Sequence, residues 1–279
     1  MTAVARRAAS PTTTAPEVPP RRSTPGRLLR RGLPPVAVVV AVFAAWEAVT
    51  SAFGIDPRVL PGPVLIVSST WDDRAALWPA ITTTTEETVL GLLVALAVAF
   101  ALGVSIDWSR SLRRSLYPLV VASQTLPIVA LAPLVIVWFG FGLAPKVLLV
   151  ALFSFFPIVV GLVQGLGGAD PEALDLLRTM RASRWQLLTR VKLPGALPQL
   201  FTGLKISVTY AFTSAIVAEF VGATQGLGFF MTQASTNAPV RTDLVFGATL
   251  VTAVLTVALF LVVALVERFA MPWRPPRRA

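Results

Sequence analysis

The sequence predicts an all-α integral membrane protein with six transmembrane helices, and three observations lead there. Of its 279 residues, 55% are hydrophobic and only 14% charged, with a mean hydropathy of +0.73, whereas soluble globular domains carry about 25% charged residues. Six apolar runs, at 35–53, 88–106, 116–139, 147–166, 206–221 and 244–266, each approach or exceed the roughly 17 to 25 residues that cross a bilayer. With spans alternating in direction, both ends of the chain and the loops 107–115 and 167–200 share one side. That side holds Arg110, Arg113, Arg114, Arg178, Arg181, Arg184, Arg190, Lys192 and Arg268, while the other holds only Arg58, Arg74, Lys146 and Arg241. Cationic loops stay in the cytoplasm, so a multi-pass protein of the cell (inner) membrane with both termini cytoplasmic is expected.

The first element, 1–33, is rich in Pro, Thr, Ser and Arg and too poor in large apolar side chains to bury a core. It is expected to be a disordered basic cytoplasmic tail. A signal peptide fits less well, because the charged leader is long and the run 35–53 is nearer to a spanning length than to a cleavable core. The transmembrane domain then occupies 34–270, and 271–279 is a second basic tail. Between the first two spans, 54–87 is external, with a partly helical stretch over 64–78 whose Trp71 and Trp78 suit the headgroup layer. Pro127 and Pro133 bend or loosen the third span and Pro157 the fourth. Residues 222–243 form an external loop before the last span.

The polar insert at 167–200 organises the rest. Asp170 is an N-cap residue followed by Pro171 at the first helical position, and Ala173, Leu176, Leu177 and Met180 recur on one face. Ser183 and Gln186 then form an S-x-x-Q capping box ahead of Leu187, Leu188 and Val191, and Pro194 is expected to stop this second helix. The insert therefore reads as helix, turn, helix, outside the membrane.

This stretch resembles the cytoplasmic "EAA" loop of binding-protein-dependent ABC importer permeases, whose pattern is E-A-A, three residues, G, nine residues, I-x-L-P. Asp175, Leu176 and Leu177 stand at the E-A-A positions, Arg181 at the glycine, and Val191, Leu193 and Pro194 at I-x-L-P. The spacing is kept in full while the Glu, both Ala and the Gly are replaced. The flanking runs SQTLPIVALAPLVIVWFGFG from Ser123, LPGALPQLFTGLKI from Leu193 and AEFVGATQGLG from Ala218 resemble the same family, chiefly its nitrate, sulfonate, taurine and thiamine-pyrimidine-precursor branch. The likeness spans 35–270. It implies a homodimer of six-span subunits, a separate ABC ATPase subunit and an extracytoplasmic solute-binding protein. It also implies that the solute is a small organic anion such as a sulfonate, or a pyrimidine or vitamin precursor.

Chemistry within the chain is sparse. There is no Cys and no His, which removes thiol chemistry and the commonest general base and metal ligand. No G-x-x-x-x-G-K-[ST] loop is present, so ATP and Mg would be held by the partner subunit and no cofactor by this chain. No enzyme is expected. The net charge of +10 tracks topology and does not point to nucleic acid. The resemblance implies that Glu172, Asp175, Leu176, Leu177, Met180, Arg181, Ala182 and Ser183 meet the ATPase, apolar groups supplying area and charged ones pairing at the rim. Arg181 stands where the family's glycine permits a left-handed turn, so either the turn differs or strain of about 1 kcal/mol is carried. Polar residues on the third and fifth spans, Ser123, Gln124, Thr125, Thr209, Tyr210, Thr213, Ser214 and Glu219, are candidates to line the solute path, with helix contact as the alternative. Glu219 could instead hold the external loop by a hydrogen bond, and Lys205 is expected to reach the cytoplasmic headgroups. Two rival classes stay open, an ATP-independent secondary carrier and a membrane-anchored interaction or signalling protein.

Overall fold

The computed structural model describes residues 26–123, 125 and 127–273. Every regular element among them is helical, in the order α1 (Gly26–Ala52), α2 (Pro63–Asp72), α3 (Arg74–Trp108), α4 (Arg110–Ser123), α5 (Ile128–Phe139), α6 (Leu143–Gly167), α7 (Pro171–Thr179), α8 (Arg184–Leu187), a π turn (Leu188–Lys192), α9 (Leu193–Gly222), α10 (Leu227–Thr236) and α11 (Thr242–Ala270). The chain divides into two units, Met1–Val49 and Thr50–Ala279. The first contains most of α1, which begins at Gly26 inside the segment expected to be a tail; residues 1–25 lie outside the described ones.

Four helical runs in the second unit are long and apolar enough to cross a bilayer: α3, α6, the run from Arg184 to Gly222, and α11. The apolar stretches of α1 (Ala37–Ala52) and α5 (Val129–Phe139) are shorter. The run expected as the third span is thus two helices, with α4 ending at Ser123 and α5 beginning at Ile128. Pro127 stands in extended backbone (φ −73°, ψ 120°) immediately before α5, where a missing N–H costs nothing. The second span is longer than its apolar core, since α3 begins at Arg74 and carries Pro79 within it. The loop before the last span, expected to be external, contains the short helix α10.

The core is a layer of α3, α6 and α9 packed nearly backbone to backbone. A Cβ on Gly161 would lie 2.5 Å from the Gln199 carbonyl oxygen, and one on Gly203 would collide with that of Pro157. Small residues at such crossings let dispersion act between helices that lipid cannot drive together. Ile158, Val159, Leu162 and Leu166 of α6 meet Val208, Ala211 and Ala215 of α9 in the resulting apolar cluster, and Ser207 Oγ donates to the Ser154 carbonyl at 2.6 Å. By contrast α11 leaves Val254, Val257, Leu261 and Leu265 more than half exposed, an apolar surface that only lipid or another apolar chain can cover.

Pro194 does not end a helix as expected. The π turn at 188–192 carries the chain from α8 into α9, and Pro194 falls in the first turn of α9. A proline in an unbroken α-helix clashes with the carbonyl four residues back, and a wider π turn in that place removes the conflict. The second helix of the insert is therefore the first turns of a 39-residue run.

Candidate functional site

The insert makes a knob at one end of the core layer. The Asp170 carboxylate accepts from the Glu172 N–H at 3.0 Å, capping α7. Ser183 and Gln186 complete both halves of a capping box, with Ser183 N–H donating to Gln186 Oε1 at 2.7 Å and Gln186 N–H to Ser183 Oγ at 3.3 Å. Between them Arg181 has φ +57° and is the only described non-glycine residue with positive φ. The Ala182 N–H donates to the Leu177 carbonyl and the Arg181 N–H to that of Arg178, both at 2.9 Å, the two bonds of a Schellman cap. The left-handed turn of the family's glycine is thus kept with arginine in its place.

No residue of α7 is buried. Leu176 and Met180 are 63% and 70% exposed, Leu177 is half-buried, and Asp175 pairs with Arg178 within the helix at 2.8 Å. Glu172 and Ser183 are exposed and Ala182 half-buried. The knob is joined to the end of α3 by Lys192, whose Nζ lies 2.8 Å from both Asp107 carboxylate oxygens, and by Trp185, whose ring centroid is 6.2 Å from that of Trp108.

The polar residues of the third and fifth spans separate into two groups. Thr209, Tyr210 and Thr213 share an exposed face of α9, and Thr125 is exposed at the break between α4 and α5. Ser214 is fully buried and donates back to the Tyr210 carbonyl at 2.8 Å. Ser123 is half-buried and donates to the Val120 carbonyl at 2.9 Å; Gln124 lies outside the described residues. Lys205 has a partner inside the protein: its Nζ is 2.5 Å from Glu267 Oε2 of α11, on a later helix that span-by-span reading cannot supply.

Glu219 lies at the far end of the layer, 1% exposed. One of its oxygens accepts from Thr84 Oγ1 at 2.7 Å and the other from the Gly228 N–H at 2.5 Å, while Thr84 Oγ1 accepts from the Leu227 N–H at 2.8 Å. The carboxylate ties α9 to α3 and to the start of α10. Gly226, at φ +120°, passes so close that a Cβ there would collide with the Glu219 carboxylate, so both its backbone angle and its lack of a side chain are required. One turn along α3, Glu87 pairs with Lys146 of α6 at 2.6 Å, both buried. Lys146 also borders a cavity of about 400 Å³ with Phe141, Gly142, Gly222, Ala223 and Thr224. Beside this end, Arg241 bridges Asp73 and Asp243 at 3.1 and 3.0 Å; hydrogen bonding to Asp243 pushes the pKa of its guanidinium up.

Hydropathy alone assigns Glu87 and Lys146 to external loops. One further signal is available: Glu87, Gly91, Ala95, Ala99 and Gly103 recur every fourth residue, and all five are buried on one face of α3. A carboxylate heading a stripe of small residues at helical spacing faces a neighbouring helix.

Long apolar helices around a tightly packed core, with an exposed capped knob between two of them, define a multi-pass membrane permease. The chain belongs to the family described as the binding-protein-dependent transport system inner membrane component, which matches residues 88–271. It is 36% identical over 244 residues to the riboflavin transport system permease protein RibX of Chloroflexus aurantiacus, covering 87% of this chain and 90% of that one. It is 32% identical over 245 residues to the formylaminopyrimidine transport permease protein ThiX of Halalkalibacterium halodurans, covering 88% and 97%. Its fold matches a chain of the MetNI methionine ABC transporter in an inward-facing conformation with a TM-score of 0.61 at 19% identity, covering 70% of this chain and 98% of that one.

Proposed function

We propose that this chain is the transmembrane subunit of an ATP-driven importer, in which two copies form the path and two ATPase subunits bind the knobs from the cytoplasm. The observation that carries this is the build of α7. Its N-terminus is capped by the Asp170 carboxylate and its C-terminus by the backbone bonds of the Arg181 turn, its apolar residues Leu176 and Met180 are bare, and it leads through α8 and the π turn directly into a long helix of the core. A surface of that kind is suited to receive a partner's cleft and to pass its displacement on. The charged Glu172, Asp175 and Arg181 would pair at the rim of that contact, and Ala182 and Ser183 would fit the turn. ATP and Mg would stay on the partner. Both termini would be cytoplasmic, and a solute-binding protein would dock on the far end, over α10.

The exposed face of Thr209, Tyr210 and Thr213 would line the path, giving a solute weak, exchangeable hydrogen bonds. Between an organic anion and a pyrimidine or vitamin precursor, the names of two relatives, 32% and 36% identical, favour the heterocycle. Purification of a tagged copy in mild detergent tests the assembly. Recovery of an ATPase subunit is expected, and its loss when Leu176, Leu177 and Met180 are all replaced by Asp. A chain that stays partnerless and moves solute in vesicles without ATP overturns the importer and leaves a secondary carrier.

A further inference from the structure

The π turn between the knob and α9 is a mechanical weak point. Non-α turns inside a long helix often serve as hinges, and Pro194 lies two residues beyond this one, with no N–H to bond back across it. Left alone, a push on α7 and α8 would bend the chain at 188–192 and go no further. The structure puts a contact on each side of the joint. Trp185 precedes the π turn and packs on Trp108; Lys192 ends it and bonds both oxygens of Asp107. The side chains of Lys192 and Asp107 are only 23% and 13% exposed, so water and salt screen the pair less than they would one on the open surface. Both contacts come from two consecutive residues at the end of a single helix.

That helix is itself held along its length. A Cβ on Gly91 or Gly103 would collide with or crowd Val150 and Leu162 of α6, and Thr84 joins α3 to Glu219 and Leu227 at the far end. From Thr84 to Asp107 an α-helix measures about 35 Å, a bilayer's thickness. We infer that Asp107, with Trp108, is a positioning residue that braces the π turn against α3, so that displacement of the knob drives the α3, α6 and α9 layer as one body. This rests on the importer reading above.

Two measurements test it, with Asp107→Ala and the exchanged pair Asp107→Lys with Lys192→Asp. On the full chain in lipid nanodiscs, hydrogen exchange of the 188–193 amides is expected to accelerate in Asp107→Ala and to recover in the exchanged pair. Unchanged exchange overturns the brace whether or not the chain is an importer. In the complex with its ATPase and solute receptor, Asp107→Ala is expected to keep the ATPase bound and hydrolysing while uptake per ATP falls roughly five- to hundredfold, the range of coupling free energies between sites. The exchanged pair should restore most of it. Unchanged uptake per ATP, or release of the ATPase by Asp107→Ala, overturns the positioning role. A wild-type chain that captures no ATPase sinks the importer reading separately, and the exchange data still decide the brace.

Discussion

The knob and the far-end cluster stand at opposite ends of α3 and are held by opposite means. The hydrogen bonds that shape the knob join residues two to five positions apart and lie in water. Those of the far end are buried, and all but the nine-residue link from Gly228 to Glu219 join residues 59, 135 and 143 positions apart. A locally capped helix keeps its shape without neighbours, which leaves its apolar face available to another subunit. A buried carboxylate and ammonium cannot stand alone, because each uncompensated charge costs several kcal/mol in the interior. They make the far end a rigid joint in which α3, α6, α9 and the start of α10 must move together or break apart.

The comparison is broken most readily at Lys146. Lys146→Met leaves Glu87 buried without its cation and is expected to cost about 3 to 5 kcal/mol, read as a lowered unfolding temperature in detergent. Adding Glu87→Leu should recover most of that loss, since an apolar pair of similar size needs no compensation. A neutral Lys146→Met would mean that the far end is no more tightly coupled than the knob. Glu219→Ala is expected to cost less, about 1 to 3 kcal/mol for the buried hydrogen-bonding groups it leaves unpaired. Its signature should be local as well, with faster proteolysis in 222–243 while α7 is cut as before; uniform cleavage would deny the anchoring role. Smallest is Arg181→Gly. A glycine relieves the left-handed strain and should raise stability by about 1 kcal/mol. If the arginine also pairs with an acidic group of a partner, transport per ATP drops despite the gain in stability; unchanged transport removes that role.

How much of each region is legible in the sequence follows the same division. Asp170, Pro171, Ser183 and Gln186 signal their helix ends within four residues, so the shape of the knob follows from residue order alone. Arg181 leaves two turns possible, and the observed φ chooses the glycine-like one. Pro194 misleads because a proline's veto applies to an α-helix, and the chain answers with a π turn. The third span looks continuous because hydropathy averages over the few residues between the end of α4 at Ser123 and the start of α5 at Ile128, and so short a polar stretch barely lowers the mean of a long apolar window. Ser214 and Glu219 group with Thr209, Tyr210 and Thr213 as polar residues of one helix, and only packing shows that the first two are buried and the other three face outward.

Hydropathy, charge asymmetry and capping residues determined an all-helical membrane chain with a knob on its arginine-rich side, because each of these is settled within one turn or one span. Pairings were decided by the tertiary structure: Glu87 with Lys146, Asp107 with Lys192, Lys205 with Glu267, and Glu219 with Thr84 and the amide of Gly228. Helical periodicity says which face a residue occupies but not which helix that face meets. The choice is made by how closely the glycines of α3, α6 and α9 let those helices approach, and most of the partners it brings together lie tens of residues apart.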